Sequence, residues 1–152
     1  MLNSPVCVDA NFVIRLLESV DSQSSAIRLW IEWHEAGRPV VAPSLLYYEI
    51  TNALHRYVVH GELLPEEASE LLDVALKLDI TLYGDADLHR YALKLAKSFS
   101  LPATYDAHYL ALAERLGAEF WTTDKRLVRT VQKVISWAVS YTHLTLPTTP
   151  YV

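Results

Sequence analysis

Four carboxylates, far apart in the chain, stand where a fold could bring them together: Asp9 closing an apolar run, Glu49 inside a helical pattern, Asp106 opening another, and Asp124 just after a second apolar run. In an open α/β sheet the C-terminal ends of the strands line one crevice, and ligands sit where the strand order reverses, so Asp9 and Asp124 are expected to project there. A cage of carboxylate oxygens suits Mg²⁺ or Mn²⁺ rather than zinc. Ions held in this way activate water and hold the oxygens of a phosphodiester during in-line displacement, the chemistry of many nucleases. Each acid also has a purely structural account. Asp9 and Asp124 could cap the helices that follow them, Asp106 sits in a first turn where the macrodipole favours negative charge, and Glu49 could lie on a solvated face. The combination favours chemistry: two acids end strands, one opens the helix before the last main strand, and Glu49, Asn52 and Arg56 form a polar edge at helical spacing. Four crowded acids resist full ionisation, so a bound cation should stabilise the fold.

The elements that must position these acids follow from periodicity. Pro5–Val8 reads as a buried strand leading into a helix from Phe12, and a second helix is expected from Asp21 or Ser22 to Gly37. Its main apolar stripe reads as Ile27, Trp30, Ile31 and His34, with Leu29 and Trp33 on a second flank. A second strand over 38–42 leads into a long helix ending at Gly61, with Leu46, Ile50, Leu54, Tyr57 and Val58 as its buried face. Pro65–Glu67 opens a helix to about Lys77, Ile80–Leu82 is a third strand, and Asp85 or Asp87 caps a helix ending near Phe99. Thr104 is expected to cap the helix Tyr105–Leu116, Gly117 to close it, and Glu119–Thr122 to be the fourth strand, followed by a short helix capped by Asp124 and an edge strand over Val134–Trp137. Strands alternating with helices indicate an α/β fold whose parallel sheet is covered on both faces.

Composition is that of one soluble domain: 152 residues, 51% hydrophobic and 20% charged. No apolar stretch reaches the roughly 18 residues a membrane span requires, so the expected location is the cytoplasm, with no membrane partner. The lone Cys7 excludes a disulfide framework and reads as a core residue. A net charge of −5 argues against holding nucleic acid by bulk electrostatics, although Lys125, Arg126, Arg129 and Lys133 follow Asp124 directly. The six histidines show no zinc spacing, and no phosphate loop or dinucleotide fingerprint is present. From Val139 no charged residue occurs, and the stretch is rich in threonine and proline. Residues 139–152 read as a non-native or disordered tail, the string Val139–Thr148 resembling the translation of a sequencing-library adapter.

Four motifs in this order, Val8-Asp9-Ala10-Asn11, Tyr48-Glu49-Ile50-Thr51-Asn52, Tyr105-Asp106-Ala107-His108-Tyr109 and Trp121-Thr122-Thr123-Asp124, resemble those of the PIN-domain ribonucleases, especially the VapC-like toxins of toxin–antitoxin pairs. The resemblance covers residues 5 to about 137, and a domain over 1–138 is expected. It implies a three-layer α/β/α sandwich with a central, mainly parallel sheet of four to five strands. It further implies an endoribonuclease using Mg²⁺ or Mn²⁺, with Asp9, Glu49, Asp106 and Asp124 as metal-binding and catalytic acids and Asn11 and Thr122 as polar residues beside them. The implied partners are RNA, a cognate antitoxin and a second copy in a homodimer. Arg15, Arg56, Lys125 and Arg126 are candidates for guiding the RNA backbone, and Trp30 and Trp33 for a docking surface or else for the core. A housekeeping RNA-processing enzyme of the same fold is an alternative. So is a phosphatase- or receiver-like domain, but its second acid beside the first is missing, since this chain has Asp9-Ala10-Asn11.

Overall fold

The computed structural model describes residues 4–19, 24–122, 124, 126–129 and 141–143. Its elements run β1 (Val6–Val8), α1 (Ala10–Glu18), α2 (Ser25–Glu35), β2 (Val40–Pro43), α3 (Leu45–Val59), α4 (Pro65–Leu76), β3 (Thr81–Tyr83), α5 (Ala86–Ser98), α6 (Tyr105–Leu116), β4 (Glu119–Thr122) and β5 (Tyr141–His143). The strands form one sheet in the order β3-β2-β1-β4-β5, with all four neighbouring pairs parallel. Strand β1 is central: the chain steps from it outward to β2 and β3, then returns to its other side at β4. The order therefore reverses between β1 and β4, and the crevice for a ligand opens at their C-terminal ends.

The inner strands β1 and β2 are short and apolar because both their faces are covered. Val6, Cys7 and Val8 are all buried, as are Val40, Val41 and Ala42. Alternation along β4 assigns the layers. Phe120 stacks on Tyr109 of α6, with ring centroids 5.9 Å apart, whereas the next residue, Trp121, meets Trp33 of α2 at 5.6 Å. Trp33 in turn packs on Phe12 of α1 at 5.2 Å. Helix α6, with α5 against it, thus covers one face, while α1 gathers α2, α3 and α4 on the other. The three-layer sandwich expected from the sequence is present, with an entirely parallel sheet.

Several local expectations change. Helix α1 begins at Ala10, earlier than Phe12, because Asp9 is its N-cap; Asn11 therefore lies in the first turn. Helix α2 begins at Ser25, its N-cap Ser24 accepting a hydrogen bond from the Ile27 amide, later than the Asp21 or Ser22 start. Its buried face is the second flank and not the main stripe: Ala26 and Trp33 are in the core, Trp33 at 2% exposure, while Ile31 is 46% exposed. Trp33 is therefore core and no docking surface, since the aromatic stack under β4 needs its ring, and Trp30 packs against the same core. Thr104 stands at the N-cap of α6 but makes no side-chain capping bond. Gly117 closes that helix in the left-handed conformation, φ +61°, as expected for a residue without Cβ. Val134–Trp137 lie outside the described residues. Tyr141–His143, within the stretch set apart as a tail, pair with β4 as β5. Among the described residues no helix is long and apolar enough to cross a membrane.

Candidate active site

The four acids arrive by four different routes and line one pocket of about 230 Å³. Asp9 follows β1, and its position is fixed at both oxygens: Oδ1 accepts from the Phe12 amide at 2.9 Å, and Oδ2 accepts from the Thr122 hydroxyl at 2.6 Å. Helix capping and site formation are thus one arrangement, and the two readings of Asp9 are not alternatives. Asp124 follows β4 across the switch point, where its Oδ1 accepts from the amides of Arg126 and Leu127 and its own amide donates to Thr122 Oγ1 at 3.0 Å. Thr122, buried in the sheet, therefore ties the two acids at the ends of β1 and β4 through a single hydroxyl. Glu49 comes from α3, whose apolar face of Leu46, Ile50 and Leu54 sets which way its polar edge turns. Asp106 comes from the first turn of α6.

Tyr109 completes the pocket and carries no role in the sequence reading. It lies one helical turn after Asp106, and its buried hydroxyl donates to Glu49 Oε1 at 2.6 Å, linking α6 to α3. Burial, then the charge of Glu49, holds its phenol far above the ordinary range, so it remains a donor. The i, i+3 spacing from Asp106 is the one sequence signal that could have found it. Asn11, Asn52 and Arg56 also line the pocket. Arg15 does not: it is 8% exposed within α1, where it lowers the pKa of Glu18, so its chain is committed to the interior and not to guiding RNA. Arg126 is exposed but does not line the pocket, and Lys125 lies outside the described residues.

The acids repel one another. Burial pushes the Asp9 carboxyl up to about 6, its bonds from Thr122 and Phe12 oppose this, and Glu49 and Asp106 push it further up. Glu49 is raised by burial and then by Asp106, against the stabilising bond from Tyr109. Asp106 is raised by desolvation and then by Asp124. Among the described residues no group of three or more His, Cys, Asp or Glu side chains is placed to hold a metal ion together. The donors are nevertheless all hard oxygens, and Mg²⁺ is characteristically held by one or two carboxylates with water in its other positions. A pocket of spaced, mutually destabilised carboxylates fits such an ion, because a cation would relieve their repulsion.

A parallel α/β sandwich with acids at the switch point of its sheet is the architecture of a PIN domain, and the model of the PIN domain family matches residues 6–133; the chain belongs to that family. Over 88 residues it is 33% identical to Ribonuclease VapC3 of Pyrobaculum aerophilum, a match covering 55% of this chain and 64%, less than two thirds, of that relative. Among solved structures, PAE2754 of Pyrobaculum aerophilum is 26% identical with a TM-score of 0.64, over 88% of this chain and 90% of that one. A toxin–antitoxin complex from Klebsiella pneumoniae, 19% identical with a TM-score of 0.54 over 80% and 88% of the two chains, shares the fold.

Proposed function

We propose that this protein is a metal-dependent endoribonuclease that hydrolyses RNA phosphodiester bonds, and the toxin of a toxin–antitoxin pair. The observation that carries the reading is the pocket at the switch point, where acids from four separate segments meet and three of them have raised pKa values. Membership of the PIN family supports it, as do the name of the VapC3 relative and the toxin–antitoxin complex of similar fold. A bound Mg²⁺ or Mn²⁺ would supply a water of lowered pKa and neutralise charge on the phosphate.

This chain's own residues do the rest. Asp9, held by Thr122 and the Phe12 amide, and Asp106, at the mouth of α6, would hold the ion. Glu49 has Oε1 occupied by Tyr109, which leaves Oε2 to take a proton from the attacking water or to share the ion. Asp124 has Oδ1 committed to helix amides, and its other oxygen faces the remaining tasks of orienting metal-bound water or binding a second ion. Asn11 can hydrogen-bond such water. Arg56, at the edge of the pocket, offers a planar fork of donors to a phosphate. The cognate antitoxin would inhibit this site, and the protein would act in the cytoplasm as a homodimer. Residues 1–138 form the nuclease domain in this reading, and 139–152 a tail whose Tyr141–His143 extends the sheet.

The decisive experiment is cleavage of labelled RNA by the protein and by Asp9→Asn, with Mg²⁺ or Mn²⁺ and with chelator. Cleavage that needs both the cation and Asp9 is expected; cleavage that survives chelation would defeat the reading.

A further inference from the structure

We propose that the aromatic hollow beside the acid pocket, walled by Tyr48, Tyr83 and Tyr105, is a subsite for an unpaired nucleobase of the RNA strand being cut. The inference rests on the nuclease reading and names how its substrate is gripped. Tyr48 is 75% exposed and Tyr105 59% exposed, and they are the large exposed aromatic side chains among the described residues. Among the described residues neither packs against the hydrophobic core. The neighbouring Tyr47 shows the contrast, since its hydroxyl donates to the Ala75 carbonyl at 2.7 Å and fastens α3 to α4.

Placement connects the hollow to the chemistry. Tyr48 immediately precedes Glu49 on α3, and Tyr105 immediately precedes Asp106 on α6. Successive helical residues point about 100° apart, so helices that turn those two acids into the pocket turn the two tyrosines onto the adjoining surface. The two regions are continuous: Asn52 lines the acid pocket and also the hollow in front of Tyr48, and Tyr48 lines the next hollow, shared with Tyr83 and Tyr105. That last hollow has a volume of about 380 Å³, within the range of small-ligand sites.

Its polar wall is a fixed histidine pair. His108 Nδ1 lies 2.7 Å from the Thr104 carbonyl oxygen, which only accepts, so this nitrogen donates. Its Nε2 lies 2.9 Å from His89 Nδ1, so one of these two nitrogens donates to the other. Charge supplies the final argument. A net charge of −5 disfavours holding RNA by bulk phosphate neutralisation, whereas stacking of bases on aromatic rings is indifferent to that sign. A base available for stacking must be out of a duplex, so the strand gripped here is single.

The test uses the full chain carrying Asp9→Asn to prevent cleavage, with a fluorescently labelled single-stranded RNA oligonucleotide containing 2-aminopurine at successive positions. In the parent one position is quenched by stacking. Tyr48→Ala and Tyr105→Ala each weaken binding about 5- to 150-fold and abolish that quenching, while Tyr48→Phe, which keeps the ring, binds like the parent. Equal affinity and quenching in the alanine variants would overturn the proposal. So would variants that leave RNA binding intact but shift the oligomeric state in sedimentation, which would make the face a seam between copies. Failure of the subsite is distinguished from failure of the nuclease reading by the unmodified protein: if it still cuts RNA with a divalent cation, only the subsite is lost.

Discussion

Strand β4 carries charge at both of its ends and treats it in opposite ways. At its N-terminal end the Glu119 carboxylate meets the Arg38 guanidinium at 2.9 Å. Arg38 also donates to the Ser4 carbonyl and hydroxyl, and the Trp121 indole N–H donates to Glu119, so the half-buried pair is satisfied on several sides. At the C-terminal end, Thr122 leads into Asp124, and four acids share a pocket whose lining, among the described residues, includes a single cationic side chain, Arg56. Partly buried charge is costly unless it is paired. The Arg38 corner bears that cost in a manner that holds the strands together, whereas the acid pocket leaves it unrelieved for a ligand to relieve. The difference separates paired charge from mutually repelling charge across the length of one four-residue strand.

The comparison can be broken most sharply at Asp9. Asp9→Asn is expected to lower RNA cleavage by about 10³-fold, as weakened hold on the ion that activates the attacking water does. It should leave the urea midpoint nearly unchanged or raised, because asparagine keeps the cap and removes repulsion. A variant that unfolds while its residual activity per folded molecule stays intact would place Asp9 with the structural charges.

The next largest effect concerns pH. The folded value of about 6 for Asp9 lies above its ordinary value of 3.8. Between these values the unfolded chain has released a proton that the folded chain retains, so stability falls as pH rises from 4 to 6, by about 3 kcal/mol for this group alone. Glu49 and Asp106 shift in the same direction and add to the loss. Denaturant titrations across this window should show the decline without divalent ions. Addition of Mn²⁺ at about 100 times its Kd should restore about 2.7 kcal/mol near neutral pH. In Asp9→Asn the decline should shrink, leaving the contributions of Glu49 and Asp106 and that of Glu18, which burial raises to about 7. A stability curve indifferent to both cation and Asp9 would remove the strain assigned to the pocket.

At the opposite end, Arg38→Ala leaves Glu119 without its cation and is expected to cost about 1–3 kcal/mol in urea unfolding, with cleavage per folded molecule unchanged. Loss of activity at full stability would contradict the division drawn above. The smallest effect is expected at Tyr109→Phe. Releasing Glu49 should cost about 10-fold in kcat with little change in KM, and should move the acidic limb of the pH–rate profile upward, since the bond that favours the Glu49 carboxylate is gone. A uniform fall in stability with an unmoved pH profile would make Tyr109 a core residue only.

Much of the molecule was legible in the residue order because the relevant signals are local. Strand-ending acids, Asp85 and Asp124 as caps, Gly117 as a helix stop and the apolar runs of β1 and β4 all act within a few residues of one another. The four acids could therefore be named, and their meeting followed from the rule that parallel strands deliver their C-terminal ends to one edge. Which flank of α2 is buried could not be read in this way. Both flanks are apolar, and the choice of Trp33 over Ile31 depends on the space left by Phe12 and Trp121. Arg15 failed for the same reason, because a long side chain on a short helix says nothing of the neighbours that enclose it.

By itself the sequence determined an α/β order of elements, a set of acids at strand and helix ends, and the absence of zinc and nucleotide motifs. Only the tertiary structure decided how those acids are held. The Thr122 hydroxyl reaches Asp9 across 113 residues and the Tyr109 hydroxyl reaches Glu49 across 60. Periodicity along a chain encodes which face of an element is apolar, but a hydrogen bond between elements is set by the packing distance and rotation of both, which no single stretch of residues specifies.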